Sequence, residues 1–384
     1  MFMLSKSDNH IPNYETITCA QRQRCPDSIL RETCTWQRFL YFGCTRLSPP
    51  YYYGEISKYT ILTNSLPDHC YFNYGELYPT YSQDLSAYGF SGIFNPNIFY
   101  SDMFEGDDTI PGVFDWLKDY SFEIWTQGEL DAWMCNPDWA RSAYMTKKIN
   151  YEEFMSIDSL QTKDEWVQSL AKYPYLSLPT SNYVVGVALN GVFFFSGTST
   201  FGYDAFFPRA YENNINPREI LPDVCLGQAS TYNTYRYHMF SPCIFDNSLK
   251  LTQANQQCFS HAGCKADKLT HSVSKLTYRQ RNIIPIGLAR DGRMIYGPYN
   301  QDGQLWNPCD VDICNGVYIS RITYAYVATM FHPYIIGCWG PGNMLNLTQS
   351  CSTNPRQCIE KTGAIYNLSI SLLTFIAATL AFLQ

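Results

Sequence analysis

Charged residues are scarce in this chain: Asp, Glu, Lys and Arg make up 16% of its 384 residues, whereas about a quarter is usual. No basic run occurs and the net charge is −7, so a nucleic-acid partner is not expected. Aromatic residues also make up 16%, which excludes intrinsic disorder because disordered chains are poor in aromatics. A polytopic membrane protein is excluded as well, because a single stretch is long and apolar enough to span a bilayer.

The short motifs that mark common enzyme classes are missing too. The sequence contains no nucleophile elbow, no phosphate-binding loop, no dinucleotide fingerprint and no His-Glu-x-x-His zinc motif. No two cysteines are spaced as Cys-x-x-Cys, and the six histidines do not lie at zinc-finger spacing from them, which argues against a structural zinc. The sequence therefore predicts a non-enzymatic protein without a cofactor, apart from the metal considered below.

Cysteine, by contrast, is abundant, with fifteen residues in the chain. This content is typical of disulfide-bonded proteins in oxidising compartments, so we expect a disulfide framework and a location outside the cytosol. Sequence alone does not give the connectivity. Short separations favour Cys225–Cys243, Cys258–Cys264 and Cys309–Cys314, and Cys338 is a further disulfide candidate.

The two ends of the chain differ in their targeting signals. Residues 1–18 contain no apolar stretch of the kind that a signal peptide needs, so we expect the natural start to lie upstream. Residues 364–383 carry no charge and could cross a hydrocarbon core as a helix. Small residues at 352–354, a polar spacer and this tail match a glycosylphosphatidylinositol (GPI) signal with Ser352 as the attachment site. A retained transmembrane helix and a buried C-terminal helix are the alternatives.

A glycosylation signal precedes this tail. The sequon Asn346-Leu347-Thr348 suits an exposed, N-glycosylated loop. The cysteines, the tail and the sequon together predict a glycoprotein at the cell surface, held at the outer leaflet of the plasma membrane through its C-terminal segment.

Composition divides the chain into four parts. Residues 1–178 form a cysteine- and aromatic-rich region of α+β type, residues 179–345 a β-rich domain, residues 346–363 a polar linker and residues 364–383 the anchor or GPI signal. In the second part, β-branched and aromatic runs end at Asn-Gly or Asp-Gly, a pattern typical of β-hairpins. The predicted fold class is mainly β, with some α-helix in the N-terminal half and many disulfides.

The β-rich domain contains the same pattern twice. We therefore predict an internal duplication, with two similar lobes at 182–245 and 283–340. In the first matching pair, Asn190-Gly191 and Asp291-Gly292 occupy the same position and predict two-residue hairpin turns with positive φ at both residues. The matching pieces are Val185–Phe195 with Ile286–Tyr296, Asp223–Gly227 with Asp312–Gly316, and Tyr235–His238 with Tyr324–Val327.

This part of the chain resembles the YHYH family, which is named after a Tyr-His-Tyr-His motif. The likeness covers residues 182–342, under half of the chain. It implies a secreted or surface domain without an established catalytic activity. The residues that carry it are Tyr235, Tyr237 and His238 in the first copy, and Asp291, Gly292, Gly297, Pro298, Tyr299, Tyr324 and Tyr326 with the ending Tyr334–Cys338 in the second.

The motif has lost most of its histidines here. Alternation along a strand would place the two histidines of a Tyr-His-Tyr-His motif on one face, where imidazoles from two related strands could bind Cu or Zn. Arg236, Ala325 and Val327 stand at three of the four histidine positions and only His238 remains. The tyrosines are all present, which favours a scaffold that has kept its packing and lost its metal chemistry.

The sequence thus favours a non-enzymatic extracellular surface protein that binds an unknown protein or glycan through a degenerate YHYH-like domain. The alternative is a secreted metal-binding protein or metal-dependent enzyme that uses His238 and His332, which could approach each other if the two lobes pair.

Overall fold

A computed structural model describes residues 13–20, 22–25, 30–47, 56–72, 87–94, 123–136, 147–149, 184–199, 201–213, 215–229, 235–252, 256–290, 292–320 and 324–358. Among these residues, no helix has both the length and the apolar character needed to cross a membrane. The apolar tail 364–383 and Asp291 lie outside the described residues, so the anchor remains a prediction.

The N-terminal region contributes a five-stranded antiparallel sheet with the strand order β1-β4-β5-β6-β7. A separate two-stranded sheet, β2 with β3, lies between its first two strands in sequence. The strands are β1 (Asn13–Cys19), β2 (Gln23–Arg24), β3 (Leu30–Arg31), β4 (Cys34–Leu47), β5 (Ile56–Thr63), β6 (Ala87–Phe94) and β7 (Lys147–Ile149).

The central region contributes an eight-stranded sheet with the order β10-β11-β9-β8-β12-β13-β15-β14. Each half consists of an antiparallel hairpin, a parallel partner and an antiparallel edge strand. The halves meet where β8 pairs antiparallel with β12. The strands are β8 (Val184–Ala188), β9 (Phe193–Phe195), β10 (Gly227–Ala229), β11 (Tyr235–Tyr237), β12 (Pro285–Ala289), β13 (Met294–Tyr296), β14 (Gly316–Tyr318) and β15 (Tyr324–Val327).

The two predicted hairpins are present, but their loops are one residue longer than predicted. The Ala188 amide donates to the Val192 carbonyl at 2.8 Å, and the Gly191 amide donates to the Ala188 carbonyl at 2.9 Å. Three residues, 189–191, therefore lie inside the hydrogen bond between Ala188 and Val192, and of these only Gly191, at φ +82°, adopts the left-handed conformation that glycine favours. The second hairpin repeats this arrangement, with Gly292 at φ +87°.

Helices are few and short. Helix α1 (Gln127–Met134) begins at a capping box formed by Thr126 and Glu129. The described part of the insert between the two predicted lobes contains three short helices, α2 (Asn247–Thr252), α3 (Ala262–Ala266) and α4 (Lys268–Ser274). The structure is thus mostly β, as predicted.

Residues 63–72 run from the first sheet onto the end of the β8–β9 hairpin, and we call them the docking segment. Its Thr63 hydroxyl donates to the Gly191 carbonyl at 2.6 Å. Ser65 exchanges hydrogen bonds with the backbone of Tyr235, and its hydroxyl accepts from the Phe193 amide at 3.0 Å. The N-terminal region therefore packs on the central sheet through specific backbone contacts.

Seven disulfides link the described elements and use fourteen of the fifteen cysteines. The predicted pairs Cys225–Cys243 and Cys258–Cys264 are present. The remaining pairs are Cys19–Cys70, Cys25–Cys34, Cys135–Cys351, Cys309–Cys358 and Cys314–Cys338.

The predicted pair Cys309–Cys314 is wrong. Cys309 bonds to Cys358 and Cys314 bonds to Cys338. Short separation in sequence is a poor guide here, because the fold brings the more distant cysteines together at Cα separations of 4.6 and 4.5 Å.

Residues 346–358, predicted as part of a polar linker, pack against the domain instead. Gln349, Cys351 and Arg356 are buried, and Cys351 is bonded to Cys135 at the end of α1. A solvated linker would expose these side chains, so the linker prediction does not fit this stretch.

Candidate functional site

The motif tyrosines that begin β11 and β15 each bind a buried aspartate. The Tyr235 hydroxyl donates to Asp223 at 2.7 Å, and the Tyr324 hydroxyl donates to Asp312 at 2.7 Å. Each aspartate lies in a tight turn whose backbone amides also point at its carboxylate. Asp223 accepts from the amides of Cys225 and Gly227, and Asp312 accepts from those of Cys314, Gly316 and Gly342.

Burial dominates the electrostatics of these two carboxyls. Removal from water raises the pKa of Asp223 to about 8, although its hydrogen-bond donors act in the opposite direction. The pKa of Asp312 is raised to about 6 for the same reason, again against its donors. Both carboxyls are enclosed by a tyrosine hydroxyl and by backbone amides, from their own turn and from more distant segments such as Gly342, so their arrangement is that of structural elements.

The second tyrosine of each motif has a different polar environment in the two halves. Tyr237 accepts a hydrogen bond from the Asn190 side-chain amide at 3.1 Å, and its hydroxyl lies 3.3 Å from His69 Nε2. Tyr326 accepts instead from Arg293 at 3.2 Å and from the Gly340 amide at 3.0 Å. All four motif tyrosines are buried, so they contribute to packing.

The other predicted motif residues support the second hairpin. The carbonyl of Gly297 accepts from the Trp306 indole at 3.1 Å, and the carbonyl of Pro298 accepts from the Trp306 amide. Tyr299, which is buried, forms a β-bridge with Leu305. These contacts close the loop that follows β13.

His238 is a buried, neutral imidazole, and one of its two ring nitrogens makes no hydrogen bond. Its Nδ1 lies 2.6 Å from the Ser196 carbonyl, and since a carbonyl only accepts, Nδ1 carries the proton. Nε2 is buried without a hydrogen-bond partner. Burial, with Arg236 nearby, lowers the pKa of His238 to about 3, so the Nε2 lone pair stays unprotonated at neutral pH.

His332 lies close to the same turn. Its Nε2 is 3.2 Å from the hydroxyl of Thr198, two residues beyond the Ser196 that contacts His238. Its Nδ1 is buried without a hydrogen-bond partner, and burial lowers its pKa. The structure thus attaches both predicted metal ligands to the 196–198 turn.

In the described part of the chain, His238 and His332 have no third His, Cys, Asp or Glu ligand atom with which to form a metal site. A metal site needs several His, Cys, Asp or Glu ligand atoms close together. Within that part of the chain, His69, Cys225 and Cys243 form the one group of three or more whose ligand atoms lie within 4.8 Å of one another. Sequence reasoning missed this group because His69 lies 156 residues before Cys225. No local spacing could have indicated it.

The predicted GPI attachment at Ser352 is contradicted by its surroundings. Ser352 is fully buried and its hydroxyl donates to Asp204 at 2.5 Å. Tyr334 and two backbone amides also donate to Asp204. Cleavage at Ser352 would remove Cys358 and leave Cys309 without its partner. Asn346, the predicted glycosylation site, is exposed.

Comparison with known proteins finds no family model that matches the sequence, no curated protein that is similar to it and no solved structure that resembles it.

Proposed function

We propose that this chain is a non-enzymatic, disulfide-rich glycoprotein of the cell surface, which binds a protein or glycan through a rigid β domain. The observation that carries the proposal is the set of seven disulfides, because such bonds form and persist in oxidising compartments. The Cys135–Cys351 pair, 216 residues apart, ties the N-terminal region to the C-terminal end of the described chain.

The buried acids support a scaffold over an enzyme. Asp204, Asp223 and Asp312 each accept hydrogen bonds from backbone amides and from a tyrosine hydroxyl. A general acid or base needs access to a substrate proton, and these carboxyls are shielded by the groups that they hold in place.

We further infer that the central sheet arose by duplication of a YHYH-like unit. Its support is the mirrored strand order, together with details that recur in both halves. The Asp–Tyr distance is 2.7 Å in each, and a disulfide begins two residues after each aspartate. Leu226 and Asn315, which follow those cysteines, both adopt positive φ, at 60° and 61°.

Expression in a eukaryotic secretory system tests the location. We expect intact protein at the surface, labelled by a membrane-impermeant reagent and oxidised at fourteen cysteines. Asn346→Gln should remove the shift in mobility that a glycosidase produces. The matched control is Asn367→Gln, which removes the sequon Asn367-Leu368-Ser369 inside the apolar tail and should leave the shift unchanged. Release by a phosphatidylinositol-specific phospholipase would separate a lipid anchor from a retained helix. Intracellular protein with reduced cysteines would contradict the proposal.

Metal binding at His238 and His332 is the second candidate function. It is favoured by one observation, the unpartnered ring nitrogen that each buried imidazole retains. Metal analysis of the purified, oxidised protein tests it: stoichiometric Cu or Zn that His238→Gln and His332→Gln both remove would support this function over the first.

A further inference from the structure

The group formed by His69, Cys225 and Cys243 lies where the docking segment meets the turn before β10. In the oxidised protein Cys225 and Cys243 share a disulfide with an S–S distance of 1.98 Å, and His69 Nδ1 lies 3.8 Å from Cys225 Sγ. All three residues are buried. A disulfide sulfur is not a thiolate and holds no metal ion of this class, so the oxidised group is inert.

We propose that reduction of the Cys225–Cys243 disulfide converts this group into a binding site for a divalent d¹⁰ ion of the zinc type, with His69 Nδ1 and the two thiolates as ligands.

The distances suit this conversion. Zinc–sulfur bonds of about 2.3 Å and zinc–nitrogen bonds of about 2.0 Å place nitrogen and sulfur about 3.5 Å apart in a tetrahedral site. The 3.8 Å between His69 Nδ1 and Cys225 Sγ is close to that separation before any movement. Two thiolates on one zinc lie about 3.8 Å apart, a separation that the released sulfurs reach by simple side-chain rotation.

The charges suit it as well. A divalent ion with two thiolates and a neutral imidazole has no net charge, so it can occupy a buried position without a counter-ion. Three protein ligands leave the fourth tetrahedral position to water.

The surroundings can orient the histidine for metal binding. In the oxidised protein His69 Nδ1 donates to the Cys70 carbonyl at 2.8 Å, and Nε2 lies 3.3 Å from the Tyr237 hydroxyl. Coordination requires that Nδ1 gives up its hydrogen bond to the Cys70 carbonyl and that the ring turns toward the sulfurs. The proton moves to Nε2, which then donates to the Tyr237 oxygen. A hydroxyl serves as donor in one tautomer and acceptor in the other, and such second partners commonly hold ligating histidines.

The chemistry balances with a phosphine reductant. The disulfide gains two electrons and two protons and becomes two thiols, while the phosphine takes the oxygen of one water and becomes a phosphine oxide. Metal binding then releases the two thiol protons to the buffer.

The second half of the sheet supplies a matched control. Cys314 and Cys338 form a buried disulfide that likewise follows an aspartate turn. Across the residues that the structure describes, no histidine joins that pair within ligand distance. Its reduction should therefore give two thiols without a metal site.

The experiment titrates Co²⁺ into full-length protein that has been partially reduced with the phosphine, with near-UV circular dichroism to follow tertiary structure. We expect one equivalent of Co²⁺ to produce thiolate-to-cobalt charge-transfer absorption, which Zn²⁺ displaces. His69→Gln should weaken binding by more than about 100-fold, and Tyr237→Phe by roughly tenfold, because the first removes a ligand and the second only its hydrogen-bond partner. The Cys314→Ser/Cys338→Ser protein should keep the signal.

Alkylation of the metal-loaded protein, read out by peptide mass spectrometry, guards against unfolding as an explanation. We expect the metal to protect Cys225 and Cys243 but not Cys314 and Cys338. Equal protection of both pairs, no cobalt band, or an unchanged band in His69→Gln would each overturn the proposal. The proposal would also be overturned if the Cys225–Cys243 disulfide is reduced only under conditions in which the near-UV circular dichroism shows that tertiary structure is lost. None of these outcomes bears on cell-surface location.

Discussion

The raised pKa of Asp223 makes a quantitative prediction about pH. A carboxyl whose pKa rises on folding binds its proton more tightly in the folded state, so its contribution to stability is complete below the unfolded pKa. That contribution is lost as the pH rises through the folded pKa. For Asp223 the pKa moves from an ordinary 3.8 to about 8. The stability that it supplies should therefore decline between about pH 4 and pH 8.

The size of the effect follows from about 1.36 kcal/mol per pKa unit. Over the whole range Asp223 accounts for a loss on the order of 6 kcal/mol in the free energy of unfolding. Between pH 6.5 and 8 the loss is about 2 kcal/mol. This upper window separates Asp223 from Asp312, because Asp312, with a pKa of about 6, has already lost most of its proton there.

The buried histidines act at lower pH and with the opposite sign. The pKa of His69 falls to about 4 and that of His238 to about 3, and their ordinary value is 6.5. Their contribution to stability is lost as the pH falls through the unfolded value toward the folded values. At pH 6.5 each imidazole is still about half protonated in the unfolded chain, so each one adds up to about 0.4 kcal/mol of stability between pH 6.5 and 8, opposite in sign to Asp223. Comparison of the wild type with a variant of Asp223 cancels this gain.

The perturbation is Asp223→Asn, which mimics the protonated acid in shape and keeps a carbonyl for the amides of Cys225 and Gly227. We expect its free energy of unfolding in urea to match the wild type near pH 6 and to exceed it by about 2 kcal/mol at pH 8. Asp312→Asn is the matched control and should keep the wild-type slope in this window. Cys44 is the one cysteine that none of the seven disulfides uses. All measurements are therefore made in a Cys44→Ser background, which prevents thiol–disulfide exchange. A difference in the free energy of unfolding between Asp223→Asn and the wild type that does not grow from pH 6.5 to 8 would refute the reasoning.

Other predictions concern buried charge, close packing and oxidation. Arg290 is fully buried with one 3.3 Å hydrogen bond to a carbonyl, so Arg290→Met should raise the free energy of urea unfolding by about 1–2 kcal/mol. Arg356 donates to two carbonyls, so Arg356→Met should lower it by roughly 2–3 kcal/mol. The reverse ranking would contradict both. A Cβ on Gly316 would overlap the Tyr324 hydroxyl, so Gly316→Ala should lower the midpoint of thermal unfolding, whereas Gly128→Ala, with open space around it, should not. Denatured, unreduced protein should bind one thiol label per chain, and two or more labels would contradict the disulfide framework.

The local features of this protein could be read from the sequence because they depend on neighbouring residues. The strands β8, β9, β12 and β13 are indicated by runs of β-branched and aromatic residues. Each pair of runs is separated by a loop that contains a glycine. The exact loop length was missed, because Asn190 does not adopt the positive φ that a two-residue turn requires. Cys225–Cys243 and Cys258–Cys264 could be paired because few residues separate them.

Features that join distant parts of the chain were decided by the tertiary structure. Cys309 bonds to Cys358 instead of the nearby Cys314, because side-chain geometry in the folded chain selects the partner. From its neighbours in sequence Ser352 resembles an exposed GPI attachment site, whereas packing places it against Asp204. His69 meets Cys225 across 156 residues. The sequence by itself determined the strand-forming runs and the high cysteine content that predicts a disulfide framework. Only folding decided which thiols, acids and imidazoles share a buried site, since burial and contact are properties of the packed chain.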